Sequence, residues 1–281
     1  MTSFDKRHIS RLALAVALVV VAAALAKEPQ ERVAQMETIK RDIAAGEQLE
    51  FKRSVEILGS VGPRARIVVK NGGVRIKGNV GDDAVVVARD GGTTSVFHGG
   101  NVSMSSNSRV VVVINGKVVV DDKGSASKAT EGDSDLAGIE VEGAVGHRVS
   151  LTTDGTIKVG GQVESSSKLQ ADGAIVLSGK VAEGASLDSG GGIVAQALGD
   201  DVKAVAGGSI QGFDIGKRAA LSAGGSITVH DVSMGAKLRA GGSVTAGEIA
   251  SGTKVEAGGS IVARTARQED LSAGGSVVLG N

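Results

Sequence analysis

The chain has 281 residues, 43 of them glycine, with four Phe, no Trp, no Tyr, no Cys and a formal charge of zero. A core without large rings has to be built from small aliphatics, and glycines set among Val, Ile, Leu and Ala read as corners rather than as disordered linker. Zero net charge and missing aromatic platforms argue against nucleic acid as a partner, and the lack of cysteine excludes disulfide bracing and a lipid attached at cysteine.

Lys6, Arg7 and Arg11 precede the apolar run Leu12 to Ala26, which closes on Ala24-Leu25-Ala26 before Lys27. A basic stretch, an apolar run and an A-x-A site are the pattern of a secretory signal peptide, so residues 1–26 are expected to be removed, leaving Lys27 first. The rival is an uncleaved membrane anchor, although the run is shorter than the roughly 20 residues that span a bilayer. Export would place the chain in the periplasm or cell envelope, with secretion as the alternative.

Residues 27–46 read differently. In Pro29 to Ala45, Val33, Met36, Ile39 and Ile43 fall at helical spacing with Gly46 as a stop, which predicts a short amphipathic helix serving as cap or spacer. Residues 47–120 read as an irregular N-terminal solenoid block. Val55, Ile57, Val61, Ile67 and Val69 are echoed by Val74, Ile76, Val80, Val85 and Val87, and Asn115-Gly116 between two β-branched runs predicts a hairpin. Residues 121–138 are polar and without period, an exposed insertion or hinge.

From 139 to 281 a phrase of the form A-G-G-S-[IV] recurs. The apolar residue after the glycines marks Ile139, Ile157, Ile175, Ile193, Ile210, Ile227, Val244, Ile261 and Val277, at intervals of 18 falling to 16. Apolar residues also return about every six positions, so each repeat holds three short strands, which are stable only when coils stack in register. The fold expected is all-β, a three-sided parallel β-solenoid of about 17–18 residues per coil. Its narrow interior explains the missing rings. The pairs Gly207-Gly208, Gly224-Gly225, Gly241-Gly242, Gly258-Gly259 and Gly274-Gly275 are expected at one corner, supplying φ values that a Cβ resists. Ser209, Ser226, Ser243, Ser260 and Ser276 should stack there as a hydroxyl ladder.

This repeated phrase, with strands six residues apart, resembles the glycine-rich C-terminal solenoid of the flagellar-assembly-protein-A-like family and, more loosely, the polymer-forming bactofilins. The resemblance covers the half of the chain from Ile139 onward. It implies a β-helical scaffold and no catalytic residue.

The residues themselves point the same way. His8, His98, His147 and His230 are scattered and read as surface residues; "GFDIGKR" at Gly212 lacks the interval and hydroxyl of a phosphate loop. Glu131, Asp133, Asp135 and Glu142 hold calcium-loop positions, but Leu136 stands where the turn needs Gly, so a solvated acidic linker is the better reading. The glycines precede the marker once per coil, unlike the six-residue grammar of trimeric acyltransferases. No catalytic, metal or cofactor site is expected. The function expected is a non-catalytic envelope scaffold or assembly protein; the alternative is an exported adhesin binding a polysaccharide or protein. Self-association is expected through the C-terminal coil, where Val277 and Leu279 form an edge without proline or charge.

Overall fold

The structure, a computed structural model, describes residues 36–89 and 138–280 in full, and between them the backbone of the strands Thr94–His98, Arg109–Ile114 and Lys117–Asp121. The leader with Ala24, Ala26 and Lys27, the first part of the expected helix, and the linker from Asp122 to Ala137 lie outside the described residues. What is described is a parallel β-solenoid.

Within one coil the chain makes three pairing segments. Val55–Ile57 lies on the first face, Val61 forms a single bridge on the second, and Arg66–Val69 lies on the third. Each pairs in parallel with its equivalents one coil away, and the third face is a sheet of eleven strands from Gln48–Phe51 to Leu271–Ala273. At about 4.8 Å per rung, this is a stack of about eleven turns. The predicted markers meet rung by rung: Ile139 pairs Ile157, then Ile175, Ile193, Ile210, Ile227, Val244, Ile261 and Val277. Alternation sends Leu169, Leu187, Leu221 and Leu238 fully inward, while Lys168 and Lys237 on two of the same strands face out.

The shortening of the repeat has a local cause. Leu177 pairs Ala195, but Lys180 then pairs Ala197, so one residue is dropped at this irregularity and the period falls from 18 to 17. One inner position is small on both sides of this change. One third-face position runs Phe51, Val69, Ala88, Thr153, Ala171 and Ser189, then Ala206, Ala223, Ala240 and Ala257. Close packing of a narrow interior keeps this position small from Ala88 onward, while Leu169, Leu187, Leu221 and Leu238 fill the inner position two residues earlier.

Two expectations change. Met36 onward is not helical: Glu37–Ile39 is a strand on Val55–Ile57, and Ile43 bridges Val61. The four-residue step from Ile39 to Ile43 that imitates a helix is the step from Ile57 to Val61, and these residues belong to the first coil. The second change concerns the corners. None of the paired glycines from Gly207 to Gly275 has a positive φ. Their reason is space, because a Cβ at Gly241 would stand 2.4 Å from the Gly224 carbonyl oxygen, and Gly224 over Gly207 is alike at 2.3 Å.

The left-handed corner lies elsewhere, between the second and third faces. Gly46, Arg64, Asp83, Arg148, Ser166, Gly184, Asp201, Arg218, Gly235 and Gly252 occupy it, one per coil, with φ between 54° and 75°. Six carry side chains despite a cost of about 1–2 kcal/mol for that conformation. Several of these pair across coils: Arg148 donates to Asp83 at 2.7 and 2.9 Å, and Arg218 to Asp201 at 2.8 and 2.5 Å.

Side chains also cap amides between coils. The amides of Ser226, Ser243 and Ser260 donate to Oγ of Ser209, Ser226 and Ser243 at 3.1–3.2 Å, so the serine ladder works through backbone donors. Asp42, Ser60 and Asn79 do the same for Ser60, Asn79 and Ala144.

The last of these crosses a break in sequence but not in structure. Val74 pairs Ile139 and Val85 pairs Ser150, a separation of 65 residues where neighbouring coils have 18, so 47 residues are inserted at one corner of an unbroken stack. Arg75–Glu140 (2.9 Å), Lys77–Glu142 and Asp83–Arg148 join the two sides. Within the insertion Thr94–His98 runs parallel to Arg109–Ile114, which forms the expected hairpin with Lys117–Asp121, Ile114 opposite Lys117.

Candidate functional site

Two groups of side chains stand out from the repeat. The first lies at the edge between the first and second faces, where the longer strand Ile193–Leu198 is answered in the next coils by pairs of short strands, Ile210–Gln211 with Asp214–Ile215 and Ile227–Thr228 with Asp231–Val232. The interruption falls at Phe213 and His230, where the Phe213 carbonyl accepts from the amides of both His230 (2.9 Å) and Asp231 (3.1 Å). The two rings stack with centroids 4.6 Å apart and planes 1° from parallel, which fixes the imidazole. Asp214 and Asp231 are register partners, and Glu248 follows above them.

Donor atoms of Asp214, His230 and Asp231 lie within 4.8 Å of one another. His230 Nδ1 approaches Asp231 Oδ1 to 3.1 Å, yet that enclosed oxygen accepts no hydrogen bond. One imidazole and two carboxylates are the donors that could hold a divalent cation. The sequence reading took His230 as a surface residue, and it is exposed; what it missed is that Asp214 stands one 17-residue repeat before Asp231. Register, not a local motif, brings them together.

The second group lies on the third face. Lys203, Lys237 and Lys254 share one outward column, in which Ala220 is the single small residue between Lys203 and Lys237. In the adjoining column Ser222 lies between Val205 and Arg239. Because Ala220 and Ser222 are short, the surface dips there into an open depression of about 430 Å³ bordered by the three lysines and Arg239. Arg239 is held by Glu256 at 2.7 Å, whereas the lysines make no ion pair among the described residues. Lys237 and Lys254 are direct register partners, a like-charge pair that is unfavourable in isolation.

No protein-family model, curated protein or solved structure matches the chain.

The remaining sequence candidates have structural places. His147 is half-buried at a corner, its Nδ1 2.8 Å from Ser165 Oγ and its amide donating to Asp82 at 2.9 Å. Glu142 of the calcium-loop pattern is paired with Lys77, and Glu131, Asp133, Asp135 and Leu136 lie outside the described residues. Val277 and Leu279 pair Ile261 and Ala263 and rest on the core, while Val278 between them is 52% exposed. Among the described strands, Val277–Leu279 is paired on one side.

Proposed function

We propose that the chain is a non-catalytic scaffold or assembly protein of the bacterial envelope, exported by its leader and presenting a rigid β-helix able to polymerise. The observation that carries this reading is the unbroken ladder of about eleven turns, maintained across a 47-residue insertion. Such a stack holds surface side chains at fixed intervals. Its residues are committed to coil stacking: glycines to close approach, serines to amide capping, charged corner residues to each other. The repeat's resemblance to the flagellar-assembly-protein-A-like solenoid and to bactofilins supports the same reading, and self-association through Val277–Leu279 supplies the mode of assembly.

The test is fractionation of the native host with mass spectrometry, followed by electron microscopy of the purified protein. An envelope species beginning at Lys27 that forms filaments supports the proposal. A cytoplasmic species that stays dispersed at all concentrations refutes it. The basic depression favours a second reading, an exported module that binds an envelope polymer.

A further inference from the structure

We infer that the depression on the third face is a docking site for an extended carboxylated polysaccharide. The inference rests on the second reading and gives that module a face and a partner. Lys203, Lys237, Arg239 and Lys254 put four cations beside one acid, Glu256, on a chain of zero net charge. Glu256 is engaged by Arg239, so the lysines are left for an external anion. Their spacing is set by the fold: Lys237 and Lys254 are one rung apart and Lys203 is two rungs from Lys237, so the charges run in line along the stack at about 4.8 Å and its double. An anion chain lying along the axis would also relieve the repulsion between Lys237 and Lys254.

The shape selects among polyanions. A concave floor at Ala220 and Ser222 accepts a narrow chain rather than a flat membrane surface. Single-stranded nucleic acid binds partly by stacking its bases on rings, and among the described residues the exposed Phe213 lies between Ile210–Gln211 and Asp214–Ile215, away from this face. Sugars bound through charge need no aromatic platform, which suits a chain without Trp or Tyr.

The test is affinity electrophoresis of the full mature chain in gels holding polygalacturonate, with dextran as the neutral polymer and phosphatidylglycerol vesicles in a separate flotation assay. Retardation by polygalacturonate and not by dextran is expected. Three released counterions predict a weakening of about 20-fold between about 50 and 200 mM salt. The Lys203→Gln/Lys237→Gln/Lys254→Gln variant should lose retardation. Lys158→Gln/Lys180→Gln/Lys217→Gln, which removes equal charge elsewhere, should keep it. Ser222→Phe, which fills the dip without altering charge, should weaken binding, and Glu256→Gln should strengthen it. If wild type is retarded and the first triple variant equally so, the assigned face is wrong while the binding-module reading survives. If wild type ignores polygalacturonate, or floats with vesicles instead, both fall.

Discussion

Replacing Gly241 by alanine should damage the stack far more than replacing Gly252, although only Gly252 has a left-handed backbone, with φ +73°. At Gly252 an added Cβ meets nothing within 4 Å. The cost is therefore conformational, about 1–2 kcal/mol, offset by about 0.4–1 kcal/mol from restricting the unfolded chain, which leaves about 1.6 kcal/mol or less. At Gly241 the new carbon would stand 2.4 Å from the Gly224 oxygen, where contacts under 3.0 Å are essentially never seen. The coils must separate locally by at least about 0.6 Å to relieve that overlap. Three bonds cross the same corner: Gly241 amide to Ala223 oxygen and Gly242 amide to Gly225 oxygen, both 2.9 Å, and Ser243 amide to Ser226 Oγ, 3.2 Å. Losing two at about 1 kcal/mol each, with overpacking strain of about 1–3 kcal/mol, gives a loss of about 3–5 kcal/mol. Neighbouring coils couple mainly to each other in a solenoid, so the readout is urea unfolding by circular dichroism together with amide exchange resolved along the chain. Gly241→Ala should raise exchange in the coils around residues 223 and 240, while Gly252→Asn stays close to wild type. Equal midpoints for Gly241→Ala and Gly252→Ala would refute the close-approach explanation.

Deleting residues 91–137 should leave the solenoid intact, because joining Asp90 to Gly138 restores the four-residue step from Ala88 to Ile139 that Thr153 to Ile157 shows; loss of the β spectrum or of thermal cooperativity would refute it. The loop-closure relief is about 2 kcal/mol in its favour. Leu187→Ala, at a fully buried position, should cost about 2–5 kcal/mol in urea unfolding, and a loss under about 1 kcal/mol would mean that the core is not packed as described. Glu47 accepts from Arg41 at 2.5 and 2.9 Å and from the Ala44 amide at 2.8 Å, which lowers its pKa from 4.5 to about 2. The folded carboxyl is the stronger acid, so its stabilisation is complete above pH 4.5 and lost as pH falls toward 2; a carboxyl titration by NMR with a Glu47 midpoint near 4.5 would remove this contribution. Asp83 and Asp201, lowered by Arg148 and Arg218, act in the same direction.

The register was readable wherever a large aliphatic recurred at fixed interval, because burial selects that residue in every coil. Ile139 through Val277 align as spaced, and so do Val55 and Val74. The first coil was misread since a four-residue apolar step belongs equally to a helix and to this solenoid's turn from first to second face. Corner conformation was harder still. The paired glycines suggest left-handed backbone where close approach is the reason, while six of the ten left-handed corners carry side chains, among them Arg64, Arg148 and Ser166, residues that give no such signal. Asp214, His230 and Asp231, like the column of lysines, consist of residues a whole repeat or two apart. Their meeting depends on the exact period, including the residue dropped between Leu177 and Lys180.

The amide caps have a direction. Of the twelve bonds among the described residues in which a side chain accepts from the backbone of another coil, ten have the acceptor in the earlier coil. Val149 on Ser167 and Gly252 on Asp270 are the two that run backward. A completed coil therefore offers oriented acceptors to the one that follows, and the later coil arrives with bare donors. Chains are synthesised from the N-terminus, so each finished coil is a template already in place when its successor emerges. For these caps, growth toward the C-terminus meets acceptors already in place, while the backbone ladder also donates forward, as the Ile193 amide does to the Ser209 oxygen at 2.9 Å.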